Sequence, residues 1–325
     1  MAGAIRIHET GGPEVLRFEQ VEVGDPGPGQ VRLKNTAIGL NFIDVYFRSG
    51  LYPSPGLPFT PGLEAAGMVE AVGEGVDQVK VGDRVAYAAP PIGAYADERL
   101  MAADRLVTVP SGVSDEQAAA MMLKGLTAQY LLRRTFRVES GQTILFHAAA
   151  GGVGLIACQW AKALGVEVIG TVGSEAKAEL AKAHGCAHVI RYDQEDVVAR
   201  VKDITSGKGV PVVYDSVGQS TFERSLDCCM PHGMMVSFGQ SSGKIPPFDL
   251  GVLSAKGSLY LTRPTLMTYT AARDDLVAGA KELFDVVESG KVRIEINQRF
   301  PLKDARAAHE ALEGRKTTGS TLLTP

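Results

Sequence analysis

Six residues, Ala149-Ala150-Gly151-Gly152-Val153-Gly154, have the spacing of a GxGxxG dinucleotide turn with alanine in the first glycine position. A pyrophosphate can rest on the unpaired N–H groups at the start of a helix only where the backbone comes close. Glycine at 151 and 152 permits that approach, and Gly154 lets the helix pack on the strand before it. A glycine cluster alone is also what an ordinary loop looks like, so the flanks decide. Thr143 to His147 is the short apolar run of a strand buried on both faces, and Leu155 to Leu164 has helical spacing up to a capping Gly165.

The end of the following strand is where such a fold reads the adenosine ribose, and an acid about 20 residues past the turn would accept from the 2′-hydroxyl of NAD. The chain offers Thr171-Val172-Gly173-Ser174 there, with no acid before Glu175 and with Lys177 close behind. A 2′-phosphate carries roughly −1.5 to −2 charges at neutral pH, so a missing carboxylate and a nearby ammonium favour NADP(H) over NAD(H). The alternative for Lys177 is a solvated lysine on a first helical turn.

The elements around this turn must hold it. From Thr143 the rhythm is strand, helix, strand, helix, with strands at Val166–Thr171, Ala187–Arg191, Val210–Asp215, Met234–Phe238 and Ser258–Leu261, which implies a six-stranded, doubly wound parallel sheet. Before it, from Ala4 to about Leu123, short alternating strands are separated by turns such as Asp25-Pro26-Gly27-Pro28-Gly29, as in a small irregular barrel, and the proline-rich stretch 51–62 is a structured loop. Ser114 with Gln117 opens a helix that runs on to Arg134, bent near Gly125. After Arg263-Pro264, a helix over 271–288 and two strands end the chain, and this strand-rich tail is expected to return to the first domain.

Composition bounds the function. The 325 residues are 45% hydrophobic and 22% charged with a net charge of −4, which is ordinary for a globular protein and gives nucleic acid no basic face to bind. No apolar run approaches the ~20 residues of a membrane helix, and MAGAIRIHETGG is not a secretory leader, so a cytoplasmic location is expected. Cys158, Cys186, Cys228 and Cys229 lack metal-ligand or scaffold spacing and read as reduced structural thiols, and the histidines form no metal set.

The stretch Gly141-Gln142, Leu145, Ala149-Ala150-Gly151-Gly152, Gly154, Gln159 and Lys162 resembles the signature of the NADPH:quinone reductases, the zeta-crystallin-like branch of the zinc-free medium-chain dehydrogenase/reductases. So do residues 39–46 with Gly50-Leu51-Tyr52-Pro53, residues 213–218, residues 238–243, and Thr262-Arg263-Pro264, so the resemblance runs from end to end. It implies a GroES-like β-rich catalytic domain, residues 1–123 and 264–325, and an NADPH-binding Rossmann domain, residues 124–263. It further implies that Gly173, Lys177 and Tyr192 surround the 2′-phosphate, that Gly152 and Val153 hold the pyrophosphate between Gly151 and Gly154, and that Asn41, Thr127 and Phe238 line the nicotinamide end, with Ser174 and Ser216 also among the cofactor contacts. Zinc-dependent relatives carry cysteine where this chain has Asn41 and histidine where it has Leu63, and they insert a cysteine-rich lobe absent here.

Without a Lewis acid to stabilise an alkoxide, an electron-poor acceptor is the expected substrate. The expected reaction is transfer of hydride or electrons from NADPH to a quinone, without metal or flavin. Tyr46, Tyr52, Arg263 and Asn41 are the candidates to handle the acceptor, against the alternatives that the tyrosines are packing residues, that Arg263 locks a loop, and that Asp44 caps a helix. A reductase of enone or alkenal double bonds is the nearest rival. A CoA thioester is ranked lower because Arg48 is the sole cation in the 46–61 segment, and an NADPH-binding structural or RNA-binding protein is the rival from another class. A homodimer follows from the resemblance, with a sheet edge near Ser258–Leu261 as the place for pairing.

Overall fold

Alternating residues at Ala2–Arg6 (β1) and Arg17–Val21 (β2) pair antiparallel in the computed structural model, which describes residues 1–325. Strand β3 (Gln30–Leu40) is followed by a short helix, α1 (Phe42–Arg48), then by strands β4 (Glu64–Val72), β5 (Arg84–Ala88), β6 (Glu98–Ala102) and β7 (Val107–Thr108). Strand β3 is the spine: β4 pairs along one edge, while β6 takes Gln30–Lys34 on the other. Helix α2 (Asp115–Tyr130) opens with the expected capping box, the Ser114 N–H donating to Gln117 Oε1 at 3.0 Å and the Gln117 N–H to Ser114 Oγ at 3.1 Å. It runs unbroken through Gly125. A side chain there would strike Leu283, so the glycine serves close packing, and the irregularity comes later, as a π turn over Leu131–Thr135.

The alternating half follows: β8 (Thr143–Phe146), α3 (Gly152–Ala163), β9 (Glu167–Val172), α4 (Glu175–Ala183), β10 (Cys186–Arg191), α5 (Val197–Ile204), β11 (Val210–Asp215), α6 (Phe222–Cys228), β12 (Cys229–Ser237), α7 (Gly251–Ala255), β13 (Tyr260–Thr262) and α8 (Leu266–Tyr269). The six strands are parallel in the order β10-β9-β8-β11-β12-β13, the doubly wound sheet expected from the crossover rhythm, with its switch point between β8 and β11. Its core joins Leu145, Ile169, Val213 and Met235 to Phe222 and Leu226 of α6.

The chain closes with α9 (Arg273–Glu288), β14 (Ile296–Pro301), α10 (Ala305–Glu313) and β15 (Ser320–Thr324). Strand β15 pairs antiparallel with the end of β3, Thr321 to Leu323 against Ile38 to Leu40, and β14 joins it in parallel. The β-rich part is thus a seven-stranded sheet beside the β1–β2 pair, with Leu302, Ala305, Ala308 and Leu323 in its core. Two compact units result: Met1–Leu126, Thr270–Glu288 and Ile294–Pro325 form the first, Thr127–Tyr269 and Ser289–Arg293 the second. No helix is long and apolar enough to cross a membrane.

Candidate active site

In the second unit the turn after β8 does what its spacing requires. Gly151 is the N-cap of α3 and contributes no side-chain cap, so the first N–H groups of the helix have no side chain over them. A β-carbon on Gly154 would run into the carbonyl oxygens of Ala148 and Ala149, so only glycine lets α3 start this close to the strand end. Ala149 donates its N–H to the Thr171 carbonyl at 3.1 Å, tying the turn to β9.

The end of β9 brings together the residues assigned to a 2′-phosphate. A β-carbon on Gly173 would strike the Tyr192 hydroxyl, so the exposed tyrosine lies over the glycine. Ser174 is the N-cap of α4, its Oγ accepting from the Lys177 N–H at 3.4 Å, which places Lys177 on the first turn. Two acids stand here and both are bound to one arginine: Glu175 bonds to Arg191 at 2.8 Å and Asp193 to the same guanidinium at 2.7 Å. Arg191 was not legible as part of this end: it lies 16 residues from Glu175 and looks like the last residue of an ordinary strand.

A buried hydrogen-bond chain supports both loops of this cradle. Asp215 Oδ1 accepts from the N–H groups of Val217 and Gly218, and its Oδ2 accepts from the hydroxyls of Thr221 and Ser225, each at 2.7 Å. With its proton given to Asp215, Ser225 must accept from His147 Nε2 at 3.0 Å, which leaves His147 Nδ1 to accept from the Thr171 hydroxyl at 2.9 Å. Burial keeps the imidazole neutral by lowering its pKa, as this tautomer demands. The chain thereby fixes the loop carrying Ser216 relative to the turn after β8.

Also in this unit, Thr127 is buried on α2 beside Tyr130, whose ring stacks on Tyr269 with centroids 4.5 Å apart. Phe238 packs its ring on Phe146 at 5.7 Å and donates its N–H to the Asp215 carbonyl at 2.8 Å. Arg263 uses one guanidinium nitrogen to bond the carbonyls of Ser237 and Gly239, both at 2.9 Å, so it braces the segment that follows Phe238.

In the first unit, Asn41 sits where β3 ends and α1 begins, clamped by two buried carboxyl groups. Its side-chain amide donates to Glu64 Oε2 at 2.7 Å, and its backbone N–H donates to Asp44 Oδ2 at 2.9 Å. Glu64 is fully buried and also binds the Lys124 ammonium at 2.9 Å and the Leu123 N–H at 2.7 Å. Gly39 makes room for this clamp, since a β-carbon would meet the Glu64 carboxylate and the Ala119 carbonyl. Tyr46 and Tyr52 do come together, ring centroids 5.1 Å apart, with Phe42 and Phe47 completing an aromatic cluster and the Tyr52 N–H donating to the Tyr46 carbonyl.

Asp44 does cap α1, but it is also the end of a directed chain. Arg48 has donors only, so its Nη1 donates to His309 Nδ1 at 3.0 Å; the imidazole then carries its proton on Nε2 and donates to the Tyr95 oxygen at 3.1 Å, and Tyr95 donates to Asp44 Oδ2 at 2.9 Å. Burial, then the Arg48 charge, lowers His309 to about 3. Asp44 is pushed up to about 7, chiefly by desolvation. Its Oδ1 is buried with no hydrogen-bond partner. Arg48 is 1% exposed and bidentate to Glu313 at 2.7 and 2.8 Å, so it offers no cation to an incoming substrate. Nowhere in the chain do three His, Cys, Asp or Glu side chains form a group able to hold a metal.

A parallel six-stranded sheet with a helix-start cradle and an antiparallel companion unit defines the medium-chain dehydrogenase/reductase class. Residues 27–133 match the alcohol dehydrogenase GroES-like domain, and residues 152–277 match the family described as zinc-binding dehydrogenase. Over its whole length the chain is 58% identical to all of a quinone oxidoreductase of Pseudomonas aeruginosa. It also superposes over the full length of both chains on the Escherichia coli quinone oxidoreductase complexed with NADPH, with a TM-score of 0.98 and 53% identity. A 2-haloacrylate reductase of Burkholderia is 48% identical, covering all of this chain and 99% of that one. The chain belongs to the quinone oxidoreductase family of the medium-chain dehydrogenase/reductases.

Proposed function

We infer that the protein reduces quinones with NADPH. The observation that carries this reading is the cradle of the second unit: a start of α3 with a glycine N-cap, next to a strand end where Lys177 stands on the first turn of α4 and the nearby acids Glu175 and Asp193 are both bound to Arg191. These residues fit the cofactor. Gly151, Gly152, Val153 and Gly154 would hold its pyrophosphate, Gly173, Ser174, Lys177 and Tyr192 its 2′-phosphate, and Thr127, Ser216 and Phe238 its nicotinamide end. Bound there, NADPH supplies a hydride.

The chain's own residues supply the rest. Asn41, Tyr46 and Tyr52 of the first unit are proposed to orient the acceptor, the aromatic cluster offering a flat surface and the hydroxyls offering donors to developing negative charge. Arg263, braced on Ser237 and Gly239, is assigned the placing of the Phe238 segment, with any contact to acceptor secondary. The positions at which zinc-dependent relatives carry ligands are Asn41 and Leu63, so the proposed reaction uses no metal.

The decisive measurement is loss of reduced-nicotinamide absorbance with a panel of simple quinones, repeated with NADH. Quinone-dependent oxidation that prefers NADPH supports the reading. Turnover only with 2-haloacrylate or simple enones would favour double-bond reduction, the second reading, which the 48% identical haloacrylate reductase keeps in view. Binding of NADPH without any consumption would defeat both. A second copy of the chain is the proposed macromolecular partner, joined along β13, an end strand of its sheet on which Tyr260 is 59% exposed; sedimentation of the wild type and of Tyr260→Asp tests it.

A further inference from the structure

We propose that Asp44 holds, on Oδ1, the proton that reduction of the acceptor consumes, and that Tyr95, His309 and Arg48 are positioning residues that keep it there. The inference rests on the quinone reading and adds to it the source of the one proton that accompanies the hydride. The hydride gives the acceptor two electrons and one hydrogen. The oxyanion that forms needs one more proton, which comes from Asp44: the O–H bond breaks at Oδ1, a new one forms on the acceptor across a single hydroxyl or water bridge, and the carboxylate is recharged from solvent.

Three observations carry it. First, Oδ2 is saturated, because the Asn41 N–H and the Tyr95 hydroxyl both donate to it, so a proton on this carboxyl group belongs on Oδ1, the oxygen without a partner. Second, the direction of the supporting chain is fixed from its far end. Arg48 cannot accept, so His309 and Tyr95 are held as donors toward Asp44 and cannot draw its proton away. Third, Asp44 is bonded directly to a residue assigned to the acceptor: it stands at the third position of α1, and its Oδ2 accepts from the N–H of Asn41, the cap of that helix.

The charges around the group suit a proton that comes and goes. Facing Asp44 are Tyr95 from the segment before β6, Glu64 from β4 and Lys124 from α2, with His309 of α10 and Arg48 behind Tyr95. Lys124 is already bound to Glu64, and Arg48 to Glu313 and His309. One local ammonium therefore stands near two carboxyl groups and is bound to Glu64, which leaves Asp44 without a cation of its own.

The test is the pH dependence of kcat for quinone reduction in three proteins. In the wild type, kcat is expected to be level at acid pH and to fall about tenfold per pH unit above neutrality, as a required acid deprotonates. Asp44→Asn should lower kcat roughly 10²-fold and abolish the fall, with the quinone KM unchanged. Tyr95→Phe removes a bond that favours the carboxylate, so its kcat at acid pH should persist while the fall moves to higher pH. A readout independent of turnover is the ¹³C carboxyl resonance of Asp44 in the cofactor-free protein, which should titrate near neutrality, move alkaline in Tyr95→Phe and vanish in Asp44→Asn. A flat wild-type profile, an unmoved profile in Tyr95→Phe, or wild-type kcat in Asp44→Asn would overturn the inference and leave the quinone reading standing. If the wild type consumes no acceptor at any pH, the quinone reading has failed and this inference falls with it.

Discussion

Replacing Asp44 with asparagine should change how stability depends on pH, and the size follows from one carboxyl group. Asparagine keeps the shape and can still accept from Asn41 and Tyr95, while its NH₂ takes the place of a protonated Oδ1. In the unfolded chain the aspartate titrates at 3.8, and in the fold at about 7. The fold therefore holds this proton over a range where the unfolded chain has released it, and stability drains away as pH rises from about 4 through 7. The loss is about 2 kcal/mol at pH 5 and about 4 kcal/mol at pH 8 relative to a permanently neutral side chain. The wild type alone does not reveal this, because His309, lowered to about 3, runs in the opposite sense: its burden falls as pH rises toward 6.5 and offsets about 2 kcal/mol of the Asp44 loss between pH 5 and 8. The difference between variant and wild type cancels the histidine. Urea unfolding at both pH values should show Asp44→Asn gaining about 3 kcal/mol on the wild type between pH 5 and pH 8. A difference that does not change with pH, or that shrinks as pH rises, would refute the claim that Asp44 is protonated near neutrality in the fold.

Other outcomes are expected from the same geometry. Lys177→Ala should narrow the preference for NADPH over NADH by about one to two powers of ten, read as kcat/KM for each cofactor, because one ammonium is lost from the 2′-phosphate end. Gly154→Ala should weaken NADPH binding and lower Tm, since the new methyl collides with the Ala148 and Ala149 carbonyls; unaltered cofactor affinity by fluorescence titration would count against the cradle. Glu64→Gln should cost about 3–5 kcal/mol in urea unfolding, as a buried ammonium loses its partner, whereas Glu64→Gln combined with Lys124→Met should recover part of that loss.

The six-stranded sheet was legible because its signals are local. Each strand is a short apolar run, each crossover is helical, and the glycine turn needs only neighbours within ten residues. The approach of Tyr46 to Tyr52 joins residues six apart, whereas the grouping of Gly173 with Tyr192 comes from the family resemblance and not from local pattern. The Asp44 chain was not legible. Its links span 51, 214 and 261 residues, joining a helix cap to a loop tyrosine and to a helix near the far end of the chain, and no pattern in either segment announces the other. Glu64 and Lys124 stand 60 residues apart, and each alone reads as a surface charge. Gly125 was ambiguous for a different reason: a glycine inside a helical pattern signals either a break or a close contact, and only the position of Leu283 on α9 decides.

The insertion of β15 between β3 and β14 has a consequence for synthesis on the ribosome. Residues 127–269, with every strand of the parallel sheet, are synthesised before any residue of β14, α10 or β15, so that sheet can begin to form while the antiparallel one still lacks two strands and the free edge of β3 stays exposed. His309 and Glu313 arrive with the same late segment. Until they do, Arg48 lacks His309 and Glu313 and Tyr95 lacks His309, and the nascent chain carries a complete set of parallel strands and an incomplete set of antiparallel ones. A released chain ending at residue 293 is expected to retain NADPH binding and to lack quinone reduction, which a fluorescence titration beside a turnover assay would check.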